Sequence, residues 1–299
     1  ASPTMSYEDD FSPSQMEGEM LDSMDLIDRK ILSAAILGVD ITEVYSPERV
    51  AKVARRFGLQ AGSSFVLTNS WDFCREDHKR LAWKRIREEA PYILIGSPPC
   101  TYCSMLQELN IAVHGGKPEW MANFEEEKAK AILHVEFCCS LYRHQIEQGR
   151  HFLHEHPWSA RSWGLECVQN LLRHPSVEVA EGYMCRFRMT THIETKEGER
   201  GLVKKPTGFM TNSDCIAGEL QRQRSGRGVF CSRPGGGTHE FCNGMTARRA
   251  AFCPFEFCRA ILRGMRTQLK RDGMWEPGTI GLHHQGEIER SEEHTSELQ

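Results

Sequence analysis

Apolar positions along the chain gather in short runs separated by longer amphipathic stretches. Val39-Asp40-Ile41-Thr42-Glu43-Val44-Tyr45 reads as a first strand, and Ser64-Phe65-Val66-Leu67-Thr68 as a second. Tyr92-Ile93-Leu94-Ile95-Gly96 is almost wholly apolar, as suits a strand covered on both faces of a parallel sheet. A fourth run, 151–155, ends in Glu155. Helical patterns lie between and around these strands, at 26–37, 47–57, 75–89, 124–148 and 161–173. Ser46-Pro47-Glu48 has the form of a helix start, with Ser as N-cap, Pro at the first position and an acid in the first turn. Val50, Val53 and Phe57 then share one face, and Gly58 ends the helix. Over 124–148 the apolar face holds Ala129, Ile132, Leu133, Val135, Phe137 and Leu141, and Cys138 and Cys139 read as core. Residues 105–121, with His114-Gly115-Gly116-Lys117-Pro118, read as a loop. Residues 177–187 read as a strand pair around Gly182, and 248–262 as a helix entered through Pro254. Strands alternating with helices predict an α/β fold. It is a Rossmann-like, mainly parallel sheet flanked by helices, with a small irregular C-terminal insertion or target-recognition part at 175–250.

Two strand ends carry reactive groups. The third run stops at Ser97-Pro98-Pro99, which cannot continue a ladder, and Cys100 follows at once. Ligands of open α/β sheets sit beyond the carboxyl ends of the strands, so Cys100 stands where chemistry is usually done. The plainer reading is one more buried thiol. Gly149-Arg150-His151-Phe152-Leu153-His154-Glu155-His156-Pro157-Trp158 brings Glu155 to a second such end, although Glu155 could instead cap the helix at 161–173. Trp71 and Asp72 follow the second strand. An acid there can hold ribose hydroxyls or an adenine amino group, and Trp can stack on adenine; alternatively Asp72 caps the helix at 75–89.

These residues carry a resemblance. Ser97-Pro98-Pro99-Cys100, closed by Ser104, resembles the Pro-Cys nucleophile motif of cytosine-C5 DNA methyltransferases, which depend on S-adenosylmethionine (SAM). Glu43-Val44-Tyr45-Ser46-Pro47 resembles the start of that family's SAM loop, with Pro47-Glu48-Arg49 where the family has glycines. Glu155-His156-Pro157 resembles its Glu-Asn-Val or Glu-Asn-Pro motif, with His156 in place of Asn. Lys204-Lys205-Pro206-Thr207 and Thr211-Asn212-Ser213 resemble a segment of phage-type cytosine methylases and of methylase-like domains in some retroelement polyproteins. Gln221-Arg222-Gln223-Arg224 echoes a Gln-x-Arg-x-Arg motif, and 248–262 resembles the closing helix that packs back on the SAM domain. Together these segments span 39–265.

The resemblance implies C5 methylation of cytosine in DNA, with Cys100 and Glu155 catalytic. It implies SAM held by Glu43, Tyr45, Ser46, Trp71, Asp72 and Ser97, and nucleic acid contacted by Ser104, Lys205, Thr207 and Asn212. In the family the region matching 105–121 is mobile and closes over a base flipped out of the duplex. A thiolate adds to C6, C5 becomes enamine-like, and a carboxylic acid at N3 relieves the charge on the ring. Two other readings stay open. One is a catalytically inactive methylase-like module that binds nucleic acid within a retroelement product, favoured by the lost glycines. The other is a cysteine hydrolase, which needs His154 or His156 close to Cys100.

Composition adds limits. With 299 residues the chain has room for one large α/β domain or two small ones. No apolar run approaches the ~20 residues needed to cross a membrane, and no signal peptide is visible. Twelve cysteines, without small-domain disulfide spacing, predict a reducing, intracellular setting. The net charge of −4 is uneven: residues 1–25 hold seven acidic and no basic residues, and 271–299 seven acidic and two basic, which leaves +8 on 26–270. That core charge fits a polyanionic partner, and an ordinary solvated surface equally. Both acidic ends are predicted to be disordered, leaving 26–270 as the domain. The start without Met reads as a fragment of a longer product, and 290–299 resembles translated sequencing-adapter DNA. Cys231, His239, Cys242, Cys253 and Cys258 lack the Cys-x-x-Cys pair of structural zinc sites, so no metal is expected.

Overall fold

The structure, a computed structural model, describes residues 39–56, 59–194, 200–221, 231, 239–242 and 253–274. The tail 1–25, the helix predicted at 26–37, Gly58, Arg222-Gln223-Arg224, residues 248–252 and the tail beyond 274 lie outside them. In chain order the strands are β1 (Ile41–Val44), β2 (Ala61–Phe65), β3 (Ile93–Gly96), β4 (His151–Pro157), β5 (Glu178–Tyr183), β6 (Thr190–Glu194), β7 (Arg200–Lys204), β8 (Pro206–Thr211) and β9 (His239–Phe241). The helices are α1 (Val50–Arg55), α2 (Glu76–Glu89), α3 (Gln107–His114), α4 (Pro118–Glu147), α5 (Glu166–Leu172), α6 (Asp214–Gln221) and α7 (Phe255–Arg271).

β3 lies inside the sheet because all four of its residues are buried. It pairs in parallel with β1 on one side and β4 on the other, and β1 pairs in parallel with β2. β8 then runs antiparallel between β4 and β5, giving the order β2-β1-β3-β4-β8-β5. The chain is therefore a mixed α/β protein with a mostly parallel six-stranded sheet flanked by helices. Strand alternation assigns the faces. Ile93, Ile95, Leu153 and Phe209 pack with Phe257, Ile261 and Met265 of α7 and with α1 and α6. Leu94, Phe152 and Met210 pack on the other face with Ile86 of α2 and Val135, Leu141 and Tyr142 of α4. Each fully buried side chain of this size contributes about 1.5–3 kcal/mol, so α7, which buries Phe257, Ile261, Leu262, Met265 and Leu269, is integral to the domain. A Cβ at Gly264 would stand 2.6 Å from Ile216 Cα, so only glycine lets α7 cross α6 this closely.

Several elements differ from expectation. The second strand lies at Ala61–Phe65, not 64–68, because its register is set by pairing along β1, Ile41 to Ala61 and Val44 to Phe65. α1 begins at Val50 rather than at Pro47, and Ser46 is not its cap. The expected loop at 105–121 contains α3 and the start of α4; Gln107–His114 has no helix breaker, and Pro118 opens α4 where a missing N–H costs nothing. The strand pair at 177–187 is one strand followed by a turn of 3-10 helix, Met184–Phe187. The region 175–250 is not a separate insertion, since β5 and β8 complete the main sheet. β6, β7 and β9 form a small second sheet, with β7 antiparallel to β6 and parallel to β9.

The packed structure also runs past residue 270. Asp272 accepts hydrogen bonds from Tyr92 Oη at 2.8 Å and Gln268 Nε2 at 3.0 Å, and pairs with His151 Nε2 at 2.9 Å. None of the twelve cysteines is in a disulfide.

Candidate active site

From β1 the chain moves outward to β2 and then crosses back to β3 on the other side of β1. Such a reversal opens a crevice at the carboxyl ends of the two strands, where open α/β sheets bind ligands. The groups delivered there are Glu43 near the end of β1, Ser46 and Arg49 after it, Ser97 and Cys100 after β3, Glu155 near the end of β4, Lys205 between β7 and β8, and Cys253 before α7.

Glu155 is the hub. Ser97 Oγ donates to its Oε2 at 3.2 Å, Lys205 Nζ lies 3.3 Å from its Oε1, and the Cys253 thiol faces Oε2 at 3.7 Å. Burial alone would raise the carboxyl pKa, yet the charges of Lys205 and Arg49 and these hydrogen bonds outweigh it and hold Glu155 below its ordinary value. Glu155 is therefore a carboxylate at neutral pH. Lys205 is kept protonated in turn: burial acts to lower its pKa, but Glu155, Cys253 and Cys100 raise it further. Burial pushes the Cys100 thiol up, with Lys205 opposing and Glu155 reinforcing the shift. Cys100 and Glu155 thus lie at one edge, within one electrostatic neighbourhood that also includes Cys242.

The residues expected to hold SAM do not present themselves for it. Glu43 Oε1 accepts the backbone N–H groups of Arg49 and Ala51, each at 2.9 Å, and Oε2 accepts from Ser46 Oγ at 2.9 Å. Its carboxylate caps α1, favoured there by the helix dipole, which is why Ser46 turns inward to Glu43. Tyr45 sits at φ +62°, a left-handed turn that leads the chain off β1; its ring packs on Phe73 and its hydroxyl meets His134 Nδ1 at 3.1 Å, inside the core. Trp71 stacks on Phe73 and meets Phe65 edge-on. Asp72 accepts the N–H of Cys74 at 2.9 Å, a local turn ahead of α2. Of the six residues assigned to SAM, only Ser46 and Ser97 border the crevice alongside Glu43, and all three are engaged internally.

Arg49 fills much of what remains. Its Nη1 donates to Cys253 Sγ at 2.9 Å, while its buried Nε has no partner among the described residues. The space left between Glu43, Arg49, Ser97, Glu155, Cys253 and Phe257 is about 10 Å³, no more than one water needs. The unpartnered Nε would suit an anionic group, but a nucleoside does not fit until Arg49 moves. The residues present therefore do not match SAM.

The expected nucleic-acid contacts divide. Lys205 is at the site. Thr207 is buried and donates to the Lys205 carbonyl at 3.2 Å, so it positions Lys205. Ser104 accepts the N–H of Leu106 at 3.2 Å in a surface turn. Asn212 lies at the opposite edge of the sheet, because β8 is antiparallel; it bonds Phe152 N and Arg150 O, each at 2.9 Å, and extends the pairing at the start of β4. His154 and His156 alternate with Glu155 and so face α4. Their rings stack 5.3 Å apart, His154 Nδ1 meets Tyr142 Oη at 3.0 Å, and burial takes His156 down to about 4. Neither is among the groups acting on Cys100, so the hydrolase arrangement is not present.

Arg49 and Cys253 are site residues that motif reasoning did not select. Their one signal was position: Arg49 stands where the resembling family has glycine, and Cys253 precedes the proline that opens α7. Comparison with models of known families, with curated proteins and with solved structures returned no match. Among the described residues no helix is long and apolar enough to cross a membrane.

Proposed function

We propose that this domain is cytosine-C5 methyltransferase-like and acts on a pyrimidine base of nucleic acid, with Cys100 as nucleophile and Glu155 as its proton partner. The observation that carries the reading is the convergence of Cys100, Glu155 and Lys205 at the carboxyl edge of β3 and β4. The addition half of the reaction balances on the chain's own groups. The Cys100 thiol is mostly protonated, and Glu155 is an ionised base within the same electrostatic neighbourhood. The thiol proton passes to Glu155, the sulfur bonds to C6, and the proton is delivered to N3 as charge develops on the ring. Lys205 holds Glu155 charged until the base arrives. No methyl-transfer step is assigned, because the residues present do not match SAM.

A second reading rests on Arg49. With its guanidinium and Cys253 in the crevice, the domain would bind nucleic acid without methylating it. Calorimetry on the full chain separates the two, using SAM and, separately, a cytosine-containing oligonucleotide. Binding of both supports the methyltransferase, oligonucleotide binding alone supports the inactive module, and binding of neither removes both.

A further inference from the structure

A second cluster lies away from this site. Cys185, Cys231 and His239 each offer a ligand atom, and the three atoms lie within 4.8 Å of one another. They come from separate parts of the chain. Cys185 is in the 3-10 turn after β5, Cys231 belongs to the segment between α6 and β9, and His239 opens β9 opposite Leu202 of β7. Both cysteines are buried, in an apolar pocket with Leu202 and Tyr183.

We infer that Cys185, Cys231 and His239 form a zinc site that fastens the small sheet to the main domain. Tetrahedral zinc places thiolate and imidazole donors roughly 3.5–3.8 Å apart, given Zn–S of about 2.3 Å and Zn–N of about 2.0–2.1 Å. The cluster reaches that spacing with small side-chain movements. Two thiolates neutralise the ion, which makes burial among apolar groups tolerable, and two thiolates with one imidazole select a soft, tetrahedral cation over calcium or magnesium. The fourth position belongs to water or to a further group of the chain. Each thiol releases its proton to solvent on binding, and no oxidation is involved.

The location gives the ion a task. Met184 and Phe187, which flank Cys185, are in the main core, with Phe187 packed on Phe257 at 5.2 Å between ring centroids. β7 and β9 run in parallel away from the cluster, and their far ends lead directly into Lys205 and Cys242, the two residues that act on Cys100 from this side. Metal at the near end of these strands would hold their far ends in register. The sequence conceals the site because Cys185 lies far from its partners and the three make no Cys-x-x-Cys pattern.

The test uses the full chain, expressed with zinc and dialysed extensively before metal analysis. About one zinc per chain is expected in the wild type, in Cys74→Ser, in Cys242→Ser and in Cys253→Ser, against a loss of at least tenfold in Cys185→Ser and Cys231→Ser. Cobalt substituted into the unmutated protein should show thiolate-to-metal charge transfer and the visible bands of a tetrahedral ion, a readout that stands even if a cysteine variant folds poorly. The inference is overturned by a metal-free wild type, by zinc retained in Cys185→Ser, by a cobalt spectrum without thiolate ligation, or by a Cys185–Cys231 disulfide in the purified protein.

Discussion

Lys205 Nζ lies 3.3 Å from Glu155 Oε1, with both side chains largely shut from solvent. The two residues are far apart in the chain, and the antiparallel β8 brings them together by running back alongside β4. The pair sets the charge of the site: Glu155 stays ionised, and Cys100 responds to both partners with opposite signs.

Lys205→Met should therefore expose the dependence of Glu155 on its counter-charge. An uncompensated buried carboxylate costs about 3 kcal/mol when its partner is removed. The folded pKa of Glu155 is depressed, so its contribution is present above the unfolded carboxyl pKa and is lost as pH falls through the folded one. In the variant burial is no longer opposed by Lys205 and the Glu155 pKa rises, so the stability gap between wild type and variant should be larger at about pH 7 than at about pH 4 and should shrink as the carboxyl takes up its proton. Urea melts at the two pH values measure it, and an equal gap at both would show that the pair does not set the charge of Glu155.

The same electrostatics predict thiol reactivity. Lys205 lowers the pKa of Cys100 and Glu155 raises it. Alkylation of Cys100, followed peptide by peptide in the mass spectrometer at pH 8, should be faster in Glu155→Gln and slower in Lys205→Met than in wild type. Shifts in the same direction would mean that the variants act through loosened packing instead.

Cys100→Ala should keep the fold, at a cost of about 1–2 kcal/mol for a small side chain at a strand end. It should abolish any covalent complex with DNA carrying 5-fluorocytosine in the presence of SAM, while leaving affinity for that DNA within about twofold. An adduct that survives the substitution would place the nucleophile elsewhere, with Cys103 the first candidate.

The extent to which this arrangement was legible follows from particular residues. β3 was readable because it is uninterrupted and apolar, and Cys100 and Glu155 because proline ends both of their strands. The environment of Glu43 was not readable: an acid at a strand end serves a ligand or a helix cap equally well, and only packing shows that its partners are Arg49, Ala51 and Ser46. Asn212 fits a motif but not a direction, since an antiparallel strand delivers its end to the far edge. α3 escaped notice because it buries none of its residues and leaves Leu109 and Val113 exposed, so no apolar face marks it out.

Arg49→Gly tests whether one side chain closes the crevice. The substitution removes the group that bonds Cys253 and gives the turn before α1 the backbone freedom that the resembling family has there. If Arg49 is the obstruction, SAM affinity should rise at least tenfold over wild type in calorimetry, with the melting temperature within a few degrees. Unchanged or absent SAM binding in Arg49→Gly would mean that the engaged Glu43, the buried Tyr45 and the half-buried Trp71, and not Arg49 alone, keep the cofactor out.

The last prediction concerns the far end of α7. Asp272 gathers Tyr92, His151 and Gln268, so the helix is tied to the amino-terminal edge of β3 and β4. Burial would raise the pKa of its carboxyl, but hydrogen bonds from His151, Tyr92 and Gln268 outweigh this and bring it from 3.8 down to about 2. A depressed folded pKa stabilises the protein above the unfolded value and ceases to do so as pH falls through the folded one. The shift corresponds to about 2 kcal/mol, and to about 1–2 kcal/mol after allowing for a side chain still 30% exposed. Asp272→Asn should therefore lose about 1–2 kcal/mol at pH 7, with the difference closing between about pH 4 and pH 2. Ending the chain at residue 270, the boundary expected from the sequence, should cost at least as much, because it removes the same acceptor. Ending it at 274 keeps every contact named here. Denaturant melts of the three variants decide the matter: a chain ending at 270 that is as stable as one ending at 274 would show that Asp272 does not tie α7 to the sheet.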